Sequence, residues 1–599
     1  MKLRFTDTYE ALKTKLSPIE GDGQWIDLNE NQKQFRHSSG GIMNWFPATG
    51  TISFQGKPDA QRGLAEIIGQ LLTQSPKSAA SVKVIELVPE KAGEPVSEAG
   101  TLAIISTPKL NEELLGQAFA DSELVIGLVG AVGTELGKVG ELLKARLSTI
   151  GYECSEIHVS SDVIPLIVKD GVDDADEYAR ISSLMTAGNE ARQQSMDNSV
   201  LALGAAAKIG EGRSAEEPLR RRQAYIVSSL KHPEEVARLR EIYTDGFYLI
   251  GVYSDEKRRR NYLIEDKRIL PELADQLMDR DADEHLEYGQ RTSDTFHLAD
   301  FFIHMDEDQD RMKKSLWRVL NIMFGDPYRT PTFDEYAMFL AFSASLRSAD
   351  LSRQVGAVIA NEYEIMATGA NDCPRYGGGL YWPQYDPESH EISDIEGGRD
   401  YKRGEDSNEA EKDKIIGDIL EVSSGEGVNK EELRKALKLS KIRDITEYGR
   451  VVHAEMEALL SCARKSISSK GATLYCTTFP CHNCAKHIIA AGIERVVYVE
   501  PYPKSKAAEF HSDSITLGFS ESSDTVHFEP FVGVGPRRFF DLFSMYFGSG
   551  YPMKRKDEEG HTLRWRPENS KLRIQLLPCS YIDLEMLAAA MFNQYRRRD

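Results

Sequence analysis

A chain of 599 residues has room for about four domains, and 73 basic against 94 acidic residues leave it at −21, a polyanion with little electrostatic reason to approach nucleic acid. It is 41% apolar with a mean hydropathy of −0.41, and no apolar run approaches the ~18 residues of a membrane span. Seven cysteines in so long a chain favour a reducing cytoplasm over a disulfide scaffold, and the opening MKLRFTDTYEALK lacks the apolar core of a secretory signal.

Residues 1–75 read as a small α/β unit: short strands at 25–28, 34–36, 42–45 and 51–54, then an amphipathic helix at 59–72 opened by Gly56-Lys57-Pro58. Such a unit suits RNA, a peptide or another domain as partner, so an RNA or protein regulator is an open expectation. Residues 76–119 form a connector with one short apolar strand at 102–105.

The next domain is placed at 120–290. Strand 124–129 (LVIGLV) runs into Gly130-Ala131-Val132-Gly133-Thr134-Glu135-Leu136-Gly137-Lys138, followed by a helix at 139–150. A glycine-rich turn between strand and helix presents backbone amides that cradle phosphate, which makes Gly130, Gly133, Gly137 and Lys138 candidate nucleotide-binding residues. The spacing from Gly133 to Gly137 is one residue short of the Walker pattern, and Val139 stands where its hydroxyl would hold magnesium. Strand 222–228, helix 233–243, strand 247–253 and the basic helix 255–263 follow, an alternation that predicts a parallel sheet covered on both faces. SLKHPEEVARLREIY and FYLIGVYS are similar to parts of nucleoside-monophosphate-kinase-like P-loop folds, which implies a degenerate P-loop kinase-like domain with a sensing or scaffolding role. Basic clusters at 220–222, 257–260 and 596–598 read as solvated faces or tails.

Residues 291–599 are assigned to a second α/β domain whose core begins near Thr332 with a helix at 333–347. A large insertion at 377–448, loop-rich at first and helical at 430–439, enters directly before His453. Insertions of this length serve as lids, interface elements or mobile loops, so a lid or a homo-oligomer contact is expected here. A terminal helix is placed at 582–595.

The stretch 451–504 organises the chain. His453 and Glu455 form a His-x-Glu at the start of a helix over 454–465, and Pro480-Cys481-x-x-Cys484 opens a second helix over 481–491, with a buried strand at 473–477 between them and another at 495–500 after them. One His and two Cys are three zinc ligands with the fourth position free, and no fourth Cys or His stands at the spacing of a structural site. H-x-E with P-C-x-x-C is the signature of zinc-dependent nucleobase deaminases. FPCHNCAKHIIAAGI resembles the deoxycytidylate deaminase branch of the cytidine deaminase superfamily, as do Arg347-Ser348-Ala349-Asp350, Gln354 with the VGAVI after it, and Thr368-Gly369-Ala370-Asn371. The resemblance implies a three-layer α/β/α fold, substrate contact by Asn371, and a position near the sugar or phosphate for Arg347 and Gln354. Residues 120–545 together look like bacterial anti-phage deoxycytidine-nucleotide deaminases, which implies depletion of dCTP and dCMP during phage infection.

The chemistry expected is hydrolytic deamination with Zn2+ on His453, Cys481 and Cys484, and with Glu455 moving protons from water to the cytosine N3 and the departing amine. Two alternatives stay open: a polynucleotide (RNA or single-stranded DNA) cytidine deaminase that holds its strand with the N-terminal unit, and a P-loop signalling assembly in which the deaminase is inert.

Overall fold

The computed structural model describes residues 3–68 and 121–593, apart from short stretches within both ranges. The expected connector at 76–119 and the basic tail at 596–598 lie outside the described residues. The chain divides into two compact units, Met1–Ser97 and Glu98–Asp599.

In the first unit, strands β1 (Leu3–Arg4), β2 (Gly23–Asn29), β3 (Gln32–His37), β4 (Ile42–Phe46) and β5 (Thr51–Gln55) form one antiparallel sheet in the order β1-β5-β4-β3-β2. Phe35, Met43, Trp45 and Ile52 bury against Leu12, Leu16, Leu64 and Ile68. All four expected strands are present.

The second unit holds two sheets. Strands β6 (Leu124–Val129), β7 (Glu153–His158), β8 (Gln223–Ser228), β9 (Phe247–Tyr253) and β10 (Phe301–His304) pair in parallel in the order β7-β8-β6-β9-β10. β6 and β8 are buried at every position because helices cover both faces. Leu124, Ile126 and Leu128 pack on the helices Leu136–Thr149 and Gln309–Met323, while Val125 and Val129 face the helices Val200–Glu211 and Pro233–Tyr243.

The second sheet is mixed. Strands β11 (Gly356–Asn361) and β12 (Glu364–Ala370) form an antiparallel hairpin, and β11 also pairs antiparallel with β15 (Thr473–Thr478). β16 (Arg495–Glu500), β17 (Ile515–Leu517) and β18 (Val526–Pro530) continue it in parallel, giving the order β12-β11-β15-β16-β18-β17. Alternate residues point to opposite faces. Ala357, Ile359, Leu474, Cys476 and Val496 meet the helices Ala454–Arg464 and His482–Ala490, whereas Val358, Ala360, Tyr475 and Val497 meet the helix Phe333–Ser345. This is the expected three-layer arrangement.

The boundary expected at 290 falls inside the first sheet. β10 lies beyond it, and β19 (Gly533–Val534) returns to the free edge of β10 in antiparallel fashion. Burial enforces this return. Arg538, at the start of the helix Pro536–Phe543, is 5% exposed and pairs with Asp245 at 3.0 Å and Asp300 at 3.5 Å. Further on, Leu572 and Ile574 enter one core of the parallel sheet and Tyr581 and Phe592 the other.

The insertion also differs from expectation. Its first half carries the hairpin of β13 (Gln384–Tyr385) and β14 (Ile392–Ser393), a short helix Asp400–Arg403 and an unforeseen four-turn helix Ser407–Val422. The expected helix Lys430–Leu439 follows.

Candidate active site

Two helix starts define the site. His453 is the N-cap residue of the helix Ala454–Arg464 and Cys481 that of the helix His482–Ala490, and neither side chain caps its own helix. Both are therefore available to a shared point, with Cys484 in the first turn joining them. Gly369 on β12 allows the first helix its close seat: a Cβ there would stand 2.1 Å from the Ala454 carbonyl oxygen. The segment leading into His453 is fixed by a bridge between Asp372 and Val452, whose amides donate to each other's carbonyls at 3.3 and 3.0 Å.

His453 Nδ1 lies 3.4 Å from Sγ of both Cys481 and Cys484, and the three ligand atoms all lie within 4.8 Å of one another. Tetrahedral zinc with Zn–N of about 2.0–2.1 Å and Zn–S of about 2.3 Å places N and S about 3.5 Å apart. The donors, their number and their spacing fit zinc with one coordination position left over.

The electrostatics of the ligand set point the same way. Hydrogen bonds from Cys484 and His453 hold the Cys481 thiol at about pKa 4, against the cost of burial. Its bond to Cys481 raises His453 to about 9, and the same Cys481 contact together with burial pushes Cys484 well above the ordinary thiol range. Protons thus sit where a cation would replace them, the usual exchange on metal binding. Glu455 is 4% exposed and offers no ligand atom to this group; burial raises its pKa above the ordinary carboxylate value, the direction that suits a group shuttling protons near neutrality.

His453, Glu455 and Cys481 line a cavity of about 350 Å³ whose wall also includes Asp350, Arg353, Val355 and Asn371. The Asn371 amide is engaged within the chain: Oδ1 accepts from the Val355 amide at 2.6 Å and Nδ2 donates to the Arg353 carbonyl at 2.8 Å. Asn371 thereby braces the 353–355 loop at the cavity. Arg347 and Gln354 are not among the lining residues. Arg347 donates to the Tyr381 carbonyl at 2.5 Å and stacks 3.8 Å over the Trp382 ring, at the base of the insertion. Gln354 donates to the Ser348 carbonyl at 2.8 Å.

What sequence reasoning missed is the insertion's share of the wall: Asp400, Asp406, Asn408, Glu409, Lys412, Ile445 and Gly449 line the same cavity. Asn408 donates from Nδ2 to the Ile445 carbonyl at 2.7 Å and accepts from the Tyr448 amide at 3.3 Å, stitching the helix Ser407–Val422 to the segment that returns to His453. Arg399, 5% exposed, pairs with Asp372 at 2.9 Å and Asp394 at 3.0 Å and locks the insertion's base. The one available signal was Asp-Ser-Asn-Glu at 406–409, a helix N-cap sequence.

The glycine-rich turn behaves differently. The Val132 amide donates to Asp281 Oδ2 at 2.7 Å, and Lys231 Nζ reaches the Gly130 carbonyl at 2.8 Å and Asp281 Oδ1 at 2.7 Å. Gly133, at φ +84°, permits the close approach of the Arg259 carbonyl, which a Cβ would meet at 2.8 Å. Lys138 pairs with Glu135, which also holds Arg258 at 2.9 Å. Gly130 and Gly133 border a cavity of about 260 Å³ whose lining omits Gly137 and Lys138.

The family model of the cytidine and deoxycytidylate deaminase zinc-binding region matches residues 331–500. The deoxycytidylate deaminase of Mycobacterium phage D29 is 30% identical over 169 residues, covering 28% of this chain and 94% of that protein. The deoxycytidylate deaminase of Enterobacteria phage T2 is 49% identical over 55 residues, 9% of this chain and 29% of that protein, so the chain spans under a third of that relative's length. A crystal structure of dCMP deaminase from the cyanophage S-TIM5 in complex with dCMP and dUMP aligns with 34% of this chain and 100% of its own at 20% identity, with a TM-score of 0.20. This chain belongs to the cytidine and deoxycytidylate deaminase family, and its residues 331–500 carry the zinc-binding region.

Proposed function

We propose that the protein hydrolytically deaminates free deoxycytidine nucleotides, dCTP, dCMP or both, to deoxyuridine nucleotides. The observation that carries this reading is the buried Glu455 beside the group of His453, Cys481 and Cys484, with Glu455, His453 and Cys481 on the wall of one nucleotide-sized cavity. A zinc ion there supplies the Lewis acidity that makes water a nucleophile near neutral pH. Glu455 would accept one proton from the attacking water and give it to N3 as C4 becomes tetrahedral, then take the proton of the new C4 hydroxyl and deliver it to the departing amine, leaving the C4 carbonyl of the uracil product. Asn371 keeps the 353–355 loop against the substrate.

Around this core we read a degenerate P-loop kinase-like domain, cytoplasmic residence, assembly as a homo-oligomer, control by an RNA or protein regulator, and a role in anti-phage depletion of dCTP. The parallel strand order with its glycine turn after β6 supports the first of these. All six cysteines among the described residues are free, in keeping with the second.

The polynucleotide reading gains little support. Arg258, Arg259 and Arg260 are engaged by Glu135, by the Ser254 and Val132 carbonyls, and by Asp275, and Arg222 by Asp121. Competition among dCTP, dCMP, CTP and a cytosine-containing oligonucleotide at physiological salt tests the assignment. The deoxynucleotides are expected to be converted far faster; comparable conversion of the oligonucleotide or of CTP overturns it.

A further inference from the structure

We propose that Lys412 reads the phosphate of the nucleotide, so that the insertion supplies substrate selectivity to a metal centre built by the core. This rests on the free-nucleotide reading above.

Five carboxylates line the cavity, Asp350, Asp400, Asp406, Glu409 and Glu455, against two permanent cations, Arg353 and Lys412. Three of the carboxylates hold the protein together. Asp350 accepts from the Ser352 and Arg353 amides at 2.9 and 3.0 Å, Asp406 from the Asn408 and Glu409 amides at 2.8 and 3.2 Å, and Asp400 from Arg450 at 2.5 Å. Arg353 sits at the rim, 43% exposed and 3.5 Å from Glu500.

Lys412 differs from Arg353 in depth. Its side chain is 9% exposed, whereas Glu409, its ion-pair partner one turn back on the same helix, is 66% exposed. A deep ammonium is thus paired with a carboxylate standing in water, and a pair screened by solvent on one side is a weak one. A phosphate oxygen entering the cavity is a stronger acceptor, because both partners are charged and water is displaced. Nothing in cytosine calls for a buried ammonium in this wall, while a nucleotide brings a group of charge near −2. Asn408, one turn before Lys412, fixes the helix to the segment leading into His453 and so sets the distance between the cation and the metal ligands.

The test uses the full-length, zinc-loaded protein and two variants, K412Q and E409Q, with deoxycytidine, dCMP and dCTP as substrates and chromatographic detection of product. K412Q is expected to raise KM for dCMP and dCTP by about tenfold or more, the scale of a lost hydrogen bond to a charged group. Its kcat should change little, and kcat/KM for deoxycytidine should fall far less than that for dCMP. E409Q is expected to move the other way and lower the nucleotide KM, since the phosphate no longer competes for Lys412. Zinc content and melting temperature report whether each variant is folded; should K412Q fold poorly, E409Q and K412R decide, the latter retaining nucleotide preference. Equal loss on deoxycytidine and dCMP in K412Q, or an unchanged nucleotide KM in E409Q, overturns the proposal. If the wild type converts dCMP and K412Q does so with the same KM, the phosphate assignment alone falls. If the wild type neither converts dCMP or dCTP nor binds either by calorimetry, both readings fall.

Discussion

At two places among the described residues a strand runs through a tight turn into a helix start fit to hold a ligand, and the two are used in opposite ways. At Phe479-Pro480-Cys481 the turn leaves the helix-start side chains bare, and a second helix start brings His453 to within 3.4 Å of both sulfurs. At Gly130–Glu135 the protein's own groups occupy the turn: Asp281 takes the Val132 amide and Glu135 takes Lys138. A helix start offers positive potential in both cases. What separates them is whether the neighbouring side chains satisfy that potential or leave it to a guest.

The largest expected effect probes the open turn. Cys481→Ser and Cys484→Ser each remove a thiolate donor, so zinc content measured by atomic absorption should fall from about one per chain towards zero, with activity at background and a lowered melting temperature. Retention of both metal and activity would place the centre elsewhere. Glu455→Gln comes next. It should reduce turnover by about 10²–10⁴-fold while zinc content stays at the wild-type level, because the carboxylate offers no ligand atom; loss of zinc along with rate would show it to be a ligand.

The occupied turn is tested by stability. Asp281 is 1% exposed and holds Lys231, the Val132 amide and Thr292. Asp281→Ala takes the carboxylate from the part-buried Lys231 ammonium and the acceptor from the Val132 amide and should cost about 3–5 kcal/mol in chemical denaturation. Lys138→Ala removes only a half-exposed ammonium from Glu135 and should shift stability by under about 1 kcal/mol with deamination unchanged. ATP hydrolysis that disappears in Lys138→Ala would reverse the comparison.

A further effect concerns pH. His232 caps the helix Pro233–Tyr243 by accepting from the Glu234 amide, and burial lowers its pKa from 6.5 to about 4. The unfolded chain binds a proton near pH 6.5 that the folded site refuses until about pH 4. Stability present at neutral pH is therefore lost as pH falls through that window. His232→Asn, which keeps a cap acceptor without a titrating ring, should flatten the pH dependence of unfolding there.

Much of this architecture could be read from local pattern. The strands 124–129, 247–253 and 495–500 and the helices 233–243 and 430–439 appear at their expected bounds, because continuous apolar runs and N-caps are written in adjacent residues. His453, Glu455, Cys481 and Cys484 were legible because motif spacing encodes which residues stand at helix starts. The cavity wall was not. Asn408 reaches residues 445 and 448 across about forty positions, through hydrogen bonds that leave no periodic trace in the sequence. The return of Gly533–Val534 to the first sheet was hidden for the same reason: two residues make too short a strand to announce themselves. Arg347 and Gln354 stand outside the lining itself, each donating to a backbone carbonyl, a placement that local pattern does not disclose.

The bridge between Asp372 and Val452 has an evolutionary consequence. The chain leaves the core on one side of that bridge and comes back on the other, so everything between is an excursion whose ends are already joined. Closing a longer excursion adds little entropy cost, about 0.6 kcal/mol per doubling of length. Descendants of this scaffold can therefore lengthen, shorten or exchange the cassette between the two residues and so reshape the cavity wall that it lines, while the hairpin and both helix starts that carry His453, Cys481 and Cys484 inherit their geometry unaltered.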